Sequence, residues 1–139
     1  MMEDVPGETW WDDAGDLVEP ANEGRGGVSW VKRRMIEGVG AFYVKRQRGY
    51  RYRSVRYPFG RPTALREMLT MRAFRRLGLA TPELAYFALR HRAGEWEAVL
   101  ATRALDGFVS LQDGLLEARW RSERKEHIMH VLVDAQQAL

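Results

Sequence analysis

Glycine-containing turns divide this chain into short stretches of β-type sequence on either side of one helical stretch. Residues 28–36 and 41–47 read as two strands joined by a turn with two glycines, and residues 83–90 and 95–104 read as a second hairpin. Between the hairpins, apolar residues at helical spacing predict a helix over residues 64–77. Two hairpins around one helix restrict the chain to an α+β domain with an antiparallel sheet.

The remaining segments complete this outline. Residues 16–22 predict a short first strand interrupted by Pro20, which suits an edge position, so we expect a five-stranded sheet with one packed helix. Thr63 follows a proline and is the predicted N-cap of the helix, and Gly78 ends it. Residues 48–61 show no regular pattern.

Two further helices are predicted near the end of the sequence. Residues 110–117 indicate a short helix, and Ser122 opens a final one. Apolar residues recur along that final helix at helical spacing, and they form a predicted stripe of Ile128, Val131, Leu132, Ala135 and Leu139.

Composition narrows the class of protein. A chain of 139 residues with 45% hydrophobic residues fits one globular domain. The absence of cysteine excludes disulfides and cysteine-ligated metals. No stretch approaches the roughly 20 apolar residues of a membrane span, and the acidic N-terminus lacks the features of a secretory signal. We therefore expect a cytoplasmic protein.

Charge is distributed very unevenly along the chain. Residues 1–23 contain eight acidic and no basic side chains, whereas residues 24–76 contain fifteen basic and two acidic ones. A basic segment of this density suits polyanions such as nucleotide phosphates, anionic lipid headgroups or nucleic acid. For any single arginine of this segment, the alternative interpretation is that it reflects high arginine usage and has no binding role.

Lys45 stands out within the basic segment. It is one of three lysines against nineteen arginines, and it ends the apolar run Ala41-Phe42-Tyr43-Val44. A lysine ammonium is a compact point charge that suits a single phosphate or carboxylate. A glycine cluster, Gly24-Arg25-Gly26-Gly27, lies upstream, and Glu67 lies in the predicted helix downstream. A glycine loop, a strand lysine and a helix glutamate, in this order, are the nucleotide-binding parts of a protein-kinase-like small lobe.

Several short segments also match one family in order and spacing. They are Trp10-Trp11, Glu19-Pro20-x-Asn22, Arg25-Gly26-Gly27-x-Ser29, Tyr43-Val44-Lys45-Arg46-Gln47, Arg56-x-Pro58-x-Gly60-Arg61-Pro62-Thr63, Arg66-Glu67, Thr81-Pro82 and Thr102-Arg103-Ala104-Leu105-Asp106-Gly107-x-x-Ser110-Leu111. On these segments the chain resembles the lipopolysaccharide kinase family of Gram-negative bacteria, the Kdo/WaaP group, and most closely its InaA-type branch.

The resemblance implies a protein-kinase-like fold that transfers the γ-phosphate of ATP to a sugar hydroxyl of the lipopolysaccharide core. Carried over by position, backbone N–H groups of Gly24, Gly26 and Gly27 would cover the nucleotide phosphates. Lys45 would bind the α- and β-phosphates and Glu67 would hold it. Backbone groups of a hinge formed by Arg103, Ala104 and Leu105 would meet the adenine. The implied partners are ATP, the core sugar and the inner membrane surface, with no specific nucleic acid.

The same resemblance implies a domain division. It makes residues 16–105 the small lobe and residues 106–139 the hinge exit and first helices of a large lobe. Composition alone predicts that residues 1–15 form an acidic arm docked through Trp10-Trp11. The groups that hold Mg²⁺ and orient the acceptor come from the large lobe in kinase-like folds. Nothing follows Leu139 in this sequence. We therefore expect a truncated lobe that is inactive alone, and we place no catalytic or metal-binding residue in it.

Two other classes of protein are also compatible with the sequence. Arginines and tyrosines interleave over residues 46–61, as in modules that neutralise phosphates and stack on bases. A non-catalytic domain that completes its fold against another chain through the final helix is the third class. His127 and His130 lie three residues apart on that helix, and we interpret them as a solvated face because no metalloprotease spacing accompanies them.

Overall fold

The computed structural model describes residues 5–24, 26–108 and 122–137. They form an α+β fold with antiparallel pairing, as the sequence predicts. A 3-10 helix, Gly7–Trp11, comes first. The strands are β1 (Asp16–Leu17), β2 (Asn22–Gly24), β3 (Gly27–Ile36), β4 (Gly40–Arg48), β5 (Arg51–Ser54), β6 (Tyr57–Pro62), β7 (Leu84–Arg92) and β8 (Glu95–Arg103), and the helices are α1 (Thr63–Arg76) and α2 (Ser122–Gln137).

Within the described residues, the main sheet contains six strands rather than the five predicted. Its order is β1-β3-β4-β8-β7, and β2 also pairs with β3. The predicted first strand is split because residues 19–21 leave the ladder: Leu17 pairs with Lys32, and pairing resumes only at Asn22 with Ser29. Pro20 lies in this gap and cannot donate a hydrogen bond to the ladder. The sheet therefore has five positions, and two short strands share the outermost one.

The central strand β4 separates two environments, because successive side chains of a strand point to opposite faces. Phe42 and Val44 lie on one face and pack with Trp10, Val99 and Ala101 into the buried core. We call this the arm face, since Trp10 belongs to the N-terminal arm.

The opposite face of β4, here called the helix face, contacts α1. Ala64 and Met68 are the buried residues of α1. The side-chain oxygen of Gln47 accepts a hydrogen bond of 2.9 Å from the backbone N–H of Ala64, and Gln47 itself is buried. A strand side chain thus fixes the first turn of the helix.

The N-terminal arm docks through its two indoles, which confirms that part of the sequence interpretation. Trp10 is 3% exposed and meets Phe42 edge to face at 5.1 Å between ring centroids. Trp11 lies under the guanidinium of Arg90 at 3.9 Å. Arg34 forms an ion pair with Asp12, and its hydrogen bond lowers the pKa of that carboxyl. The arm is therefore held by both apolar packing and charge.

Two local predictions were wrong. Residues 48–61, where the sequence shows no regular pattern, hold β5 and all of β6 except Pro62, and these two strands form a separate two-stranded sheet. Thr63 is the first helical residue instead of the N-cap, and Pro62 precedes it without a side-chain cap. The Gln47 side chain meets one of the free N–H groups of this terminus, so a tertiary contact replaces the local cap.

The predicted final helix is confirmed as α2. Val131 and Leu132, two members of its predicted stripe, are exposed, as are Met129 and Val133. The predicted helix at 110–117 lies outside the described residues, as do Leu139 and the side chain of Ala135. Across the described ranges, neither helix has the length and apolar character needed to cross a bilayer.

Candidate functional site

Lys45 and Glu67 form an ion pair between the sheet and the helix. The Lys45 Nζ lies 2.6 Å from the Glu67 Oε2, and Lys45 donates a hydrogen bond to it. Lys45 stands near the middle of β4, between Val31 on β3 and Leu100 on β8. Glu67 lies in the second turn of α1, whose start is fixed by Gln47. The structure therefore brings together the strand lysine and the helix glutamate that the sequence analysis names as partners.

The Lys45–Glu67 pair is partly exposed to solvent. The Lys45 side chain is 29% exposed and that of Glu67 40% exposed. Ion pairs with this much solvent contact contribute on the order of 0–1 kcal/mol to folding. An ammonium has three N–H donors, and one is directed to Glu67. The remaining donors make Lys45 a fixed and accessible cation on the helix face.

The glycine cluster forms a tight turn between β2 and β3. Gly24 pairs with Gly27 across the turn, and Gly26 adopts a positive φ of 77°, which disfavours side chains. An open depression at this turn is lined by Glu23, Gly24, Gly26, Gly27, Val28, Arg48 and Glu95. The turn thus offers backbone groups next to a cavity. Arg25 lies outside the described residues.

Tyr50 belongs to the segment rich in arginine and tyrosine, but the sequence analysis did not connect it with the glycine turn. A Cβ placed on Gly27 would come within 2.8 Å of both the Tyr50 ring and its backbone N. The Tyr50 carbonyl accepts a hydrogen bond from the Thr63 N–H at 3.2 Å. Tyr50 therefore links the glycine turn to the start of the helix that carries Glu67. The signal available in the sequence was Gly49, a glycine directly after a strand, which often marks a change in chain direction. In the structure Gly49 has a φ of 81°.

Replacing Gly27 with alanine is expected to destabilise the domain by about 1–3 kcal/mol, because the new methyl overlaps Tyr50 and must displace it. Gly24→Ala is the matched control in the same turn, since its nearest neighbour, the Tyr50 hydroxyl, lies 3.8 Å away. Urea denaturation of both variants measures the difference. Equal loss of stability in the two would contradict the proposed contact between Gly27 and Tyr50.

The predicted hinge residues lie at the end of β8. The Arg103 N–H donates to the carbonyl of Glu83, and the Ala104 N–H donates to the carbonyl of Ala41, both at 2.9 Å. These two donors are already used in the sheet. Within the described residues, the N–H of Leu105 forms no backbone hydrogen bond. Adenine recognition at this segment would therefore depend on Leu105 and on carbonyl groups.

These groups follow one another along β4. The first pair of β3 with β4 joins Val28 to Arg48, so the glycine turn lies at the end of β4. At the other end of β4, Phe42 pairs with Arg103. Lys45 stands between the two ends, on the helix face. The glycine turn and Arg103 therefore lie at opposite ends of β4, and Lys45 lies between them along the strand.

No cluster of three or more metal-ligating side chains occurs in ranges 5–24, 26–108 and 122–137. His127 and His130 are both exposed on α2. The aromatic residue Trp30 lies on the arm face, 5.4 Å from the Arg46 guanidinium, and Trp96 lies beside Arg61 at 5.2 Å. Trp120 is outside the described residues.

The family model for the lipopolysaccharide kinase (Kdo/WaaP) family matches residues 8–136, nearly the whole chain. The chain belongs to this family. Within the Kdo/WaaP family, the protein InaA of Escherichia coli (strain K12) is 40% identical over 105 residues, which cover 75% of this chain and 48% of InaA. The chain thus spans about half the length of this curated relative. No solved structure matches the chain significantly.

Proposed function

We propose that this chain provides the ATP-binding small lobe of a kinase that phosphorylates a sugar of the lipopolysaccharide core. The observation that carries the proposal is the Lys45–Glu67 ion pair, at 2.6 Å between the central strand and the helix. Membership of the Kdo/WaaP family supports the reaction class. The small-lobe assignment rests on the order of glycine turn, strand lysine and helix glutamate.

In this proposal Lys45 donates to the α- and β-phosphates, and Glu67 keeps its ammonium at the right depth on the helix face. Backbone N–H groups of the glycine turn contact the phosphates from the other side, where the absence of side chains permits close approach. Adenine lies towards residues 103–105. Mg²⁺ would neutralise charge on the phosphates, but the described residues hold no cluster to which its ligands can be assigned. We assign nucleotide binding to these residues and no catalytic base.

The cellular location that we propose for the kinase follows from its proposed acceptor. A lipopolysaccharide core sugar is attached to a lipid, so the kinase would act on the cytoplasmic side of the inner membrane, in peripheral contact with it.

A second candidate function is binding to polyanions without catalysis. Its support is the hairpin β5–β6, where Arg51, Arg56 and Arg61 line an open depression beside Trp96. Guanidinium groups next to rings bind nucleic acid in many single-strand-binding proteins.

Competition between ligands distinguishes the two functions. We expect the chain to bind a fluorescent ATP analogue that unlabelled ATP displaces and that single-stranded RNA at equal phosphate concentration displaces poorly. Raising the salt concentration should weaken RNA binding much more than ATP binding, because RNA contacts release many counterions. Displacement by RNA at concentrations below those needed for ATP would reject the kinase-lobe proposal in favour of the polyanion module.

A further inference from the structure

The β5–β6 hairpin projects two apolar side chains into solvent. Val55 in its turn is 103% exposed and Phe59 on β6 is 90% exposed. Both lie on a two-stranded ribbon that is separate from the main sheet. Single exposed apolar residues are ordinary on protein surfaces. Two on one short ribbon need a closer look at the side chains around them.

The side chains around them are basic, and the hairpin has no acidic residue to neutralise them. Residues 51–62 contain four arginines and no acidic residue. In the described part of the chain, no carboxylate lies within ion-pair distance of Arg51, Arg53, Arg56 or Arg61. Three of them line one open depression together with Phe59. The charges of this ribbon are therefore available to an external anion.

Ring contacts hold part of this charge in place. The Arg56 guanidinium lies 5.7 Å from the Tyr57 ring centroid, and that of Arg61 lies 5.6 Å from the same ring. Tyr57 in turn meets Tyr52 edge to face at 6.2 Å. The tyrosines are thus occupied within the ribbon, whereas the arginines keep their N–H donors for a ligand.

We propose that the β5–β6 hairpin is a membrane-docking element that inserts Phe59 and Val55 into the interface of a bilayer with anionic headgroups, while Arg51, Arg56 and Arg61 bind the headgroup phosphates. Apolar side chains surrounded by basic ones match the layered polarity of such a surface. A nucleic acid is a poorer match, because Phe59 is the one freely exposed ring of the hairpin, Val55 has no ring to stack on a base, and Tyr52 and Tyr57 pack against each other. A membrane partner rests on the proposed function, in which the acceptor sugar is attached to a lipid.

Vesicle co-sedimentation tests the proposal with the full chain and without any nucleotide. We expect binding to vesicles with about one third phosphatidylglycerol and weak binding to pure phosphatidylcholine, since an anionic surface attracts arginines close to it. Arg51→Gln combined with Arg56→Gln should weaken binding to the anionic vesicles by about tenfold or more. Phe59→Ala should weaken it by several-fold through lost apolar burial.

Matched controls separate this surface from general charge and apolarity. Arg75→Gln with Arg76→Gln removes the same charge at the far end of α1, about 18 Å along the helix axis from its first residue at 1.5 Å per residue. Met35→Ala removes an apolar side chain that is 65% exposed near the opposite end of the sheet. We expect both controls to bind vesicles like the original chain. Circular dichroism of each variant checks that the substitution has not unfolded the protein.

Failure of this proposal differs from failure of the proposed function. Lys45→Ala should keep vesicle binding while losing ATP, and the hairpin variants should show the reverse. Absent vesicle binding, equal loss in the controls, or an unchanged affinity of Phe59→Ala would overturn the membrane-docking role. A hairpin that binds single-stranded RNA more tightly than anionic vesicles, with the same arginine dependence, would also overturn it.

Discussion

Replacing Lys45 with alanine is expected to lower the affinity for ATP by about ten- to a hundredfold. A charge-assisted hydrogen bond to a phosphate is worth about 1.5–3 kcal/mol, and a factor of ten corresponds to about 1.4 kcal/mol. Stability should change little, because the Lys45–Glu67 pair is partly exposed. Titration of a fluorescent ATP analogue into the original chain and the variant measures the effect.

Two further variants test whether ATP affinity depends on the ammonium of Lys45 at its position on β4. Lys32→Ala removes a lysine on the neighbouring strand that pairs with Asp13 of the arm, and it should leave ATP affinity unchanged. Glu67→Gln should reduce the affinity less than Lys45→Ala, and the double variant should be no weaker than Lys45→Ala alone, since Glu67 acts through the lysine. Additive losses would show that Glu67 acts independently, and an unaltered affinity in Lys45→Ala would remove the lysine from the site.

The second large effect concerns the arm. Trp10→Ala is expected to lower the free energy of unfolding by about 3–5 kcal/mol, the usual cost of truncating a buried Trp or Phe. Trp10 is 3% exposed and contacts both Phe42 and Tyr86 through its ring. A loss of that size is a large fraction of the about 5–15 kcal/mol typical of a domain. Urea denaturation followed by circular dichroism provides the measurement.

Trp96→Ala is the matched control, because Trp96 lies at the rim beside His91 and Arg61 and is only partly buried. Its stability should fall by clearly less than that of Trp10→Ala. Should the two variants unfold at the same urea concentration, Trp10 would not be part of the core, and residues 1–15 would be a separate tail.

Sequence reasoning reached the parts of this fold that local patterns encode. The two long hairpins follow from apolar stretches bounded by glycine turns, and the helix follows from its spacing. The family assignment was confirmed by the family model and by the similarity to InaA. The order of glycine cluster, lysine and glutamate named two residues that the structure joins at 2.6 Å.

The features that were missed depend on contacts distant in sequence or on unusual strand composition. The hydrogen bond from Ala64 to Gln47 spans seventeen residues, so no local signal at Thr63 could indicate it. Strand β6 contains Pro58 and Pro62, which normally argue against a strand. It tolerates them because it pairs only with β5 in a two-stranded ribbon. The contact of Tyr50 with Gly27 likewise appears only once the strands are in place.

The alternation along β4 limits how this region can change in evolution. Lys45 and Gln47 must lie on one face, and Phe42 and Val44 on the other. Deletion or insertion of one residue within the strand would turn the ammonium towards the indole of Trp10 and expose the phenyl ring beside α1. Substitutions can therefore accumulate along β4 one at a time, but its length between Gly40 and Arg48 cannot drift, and length variation among homologues should be confined to the turns on either side.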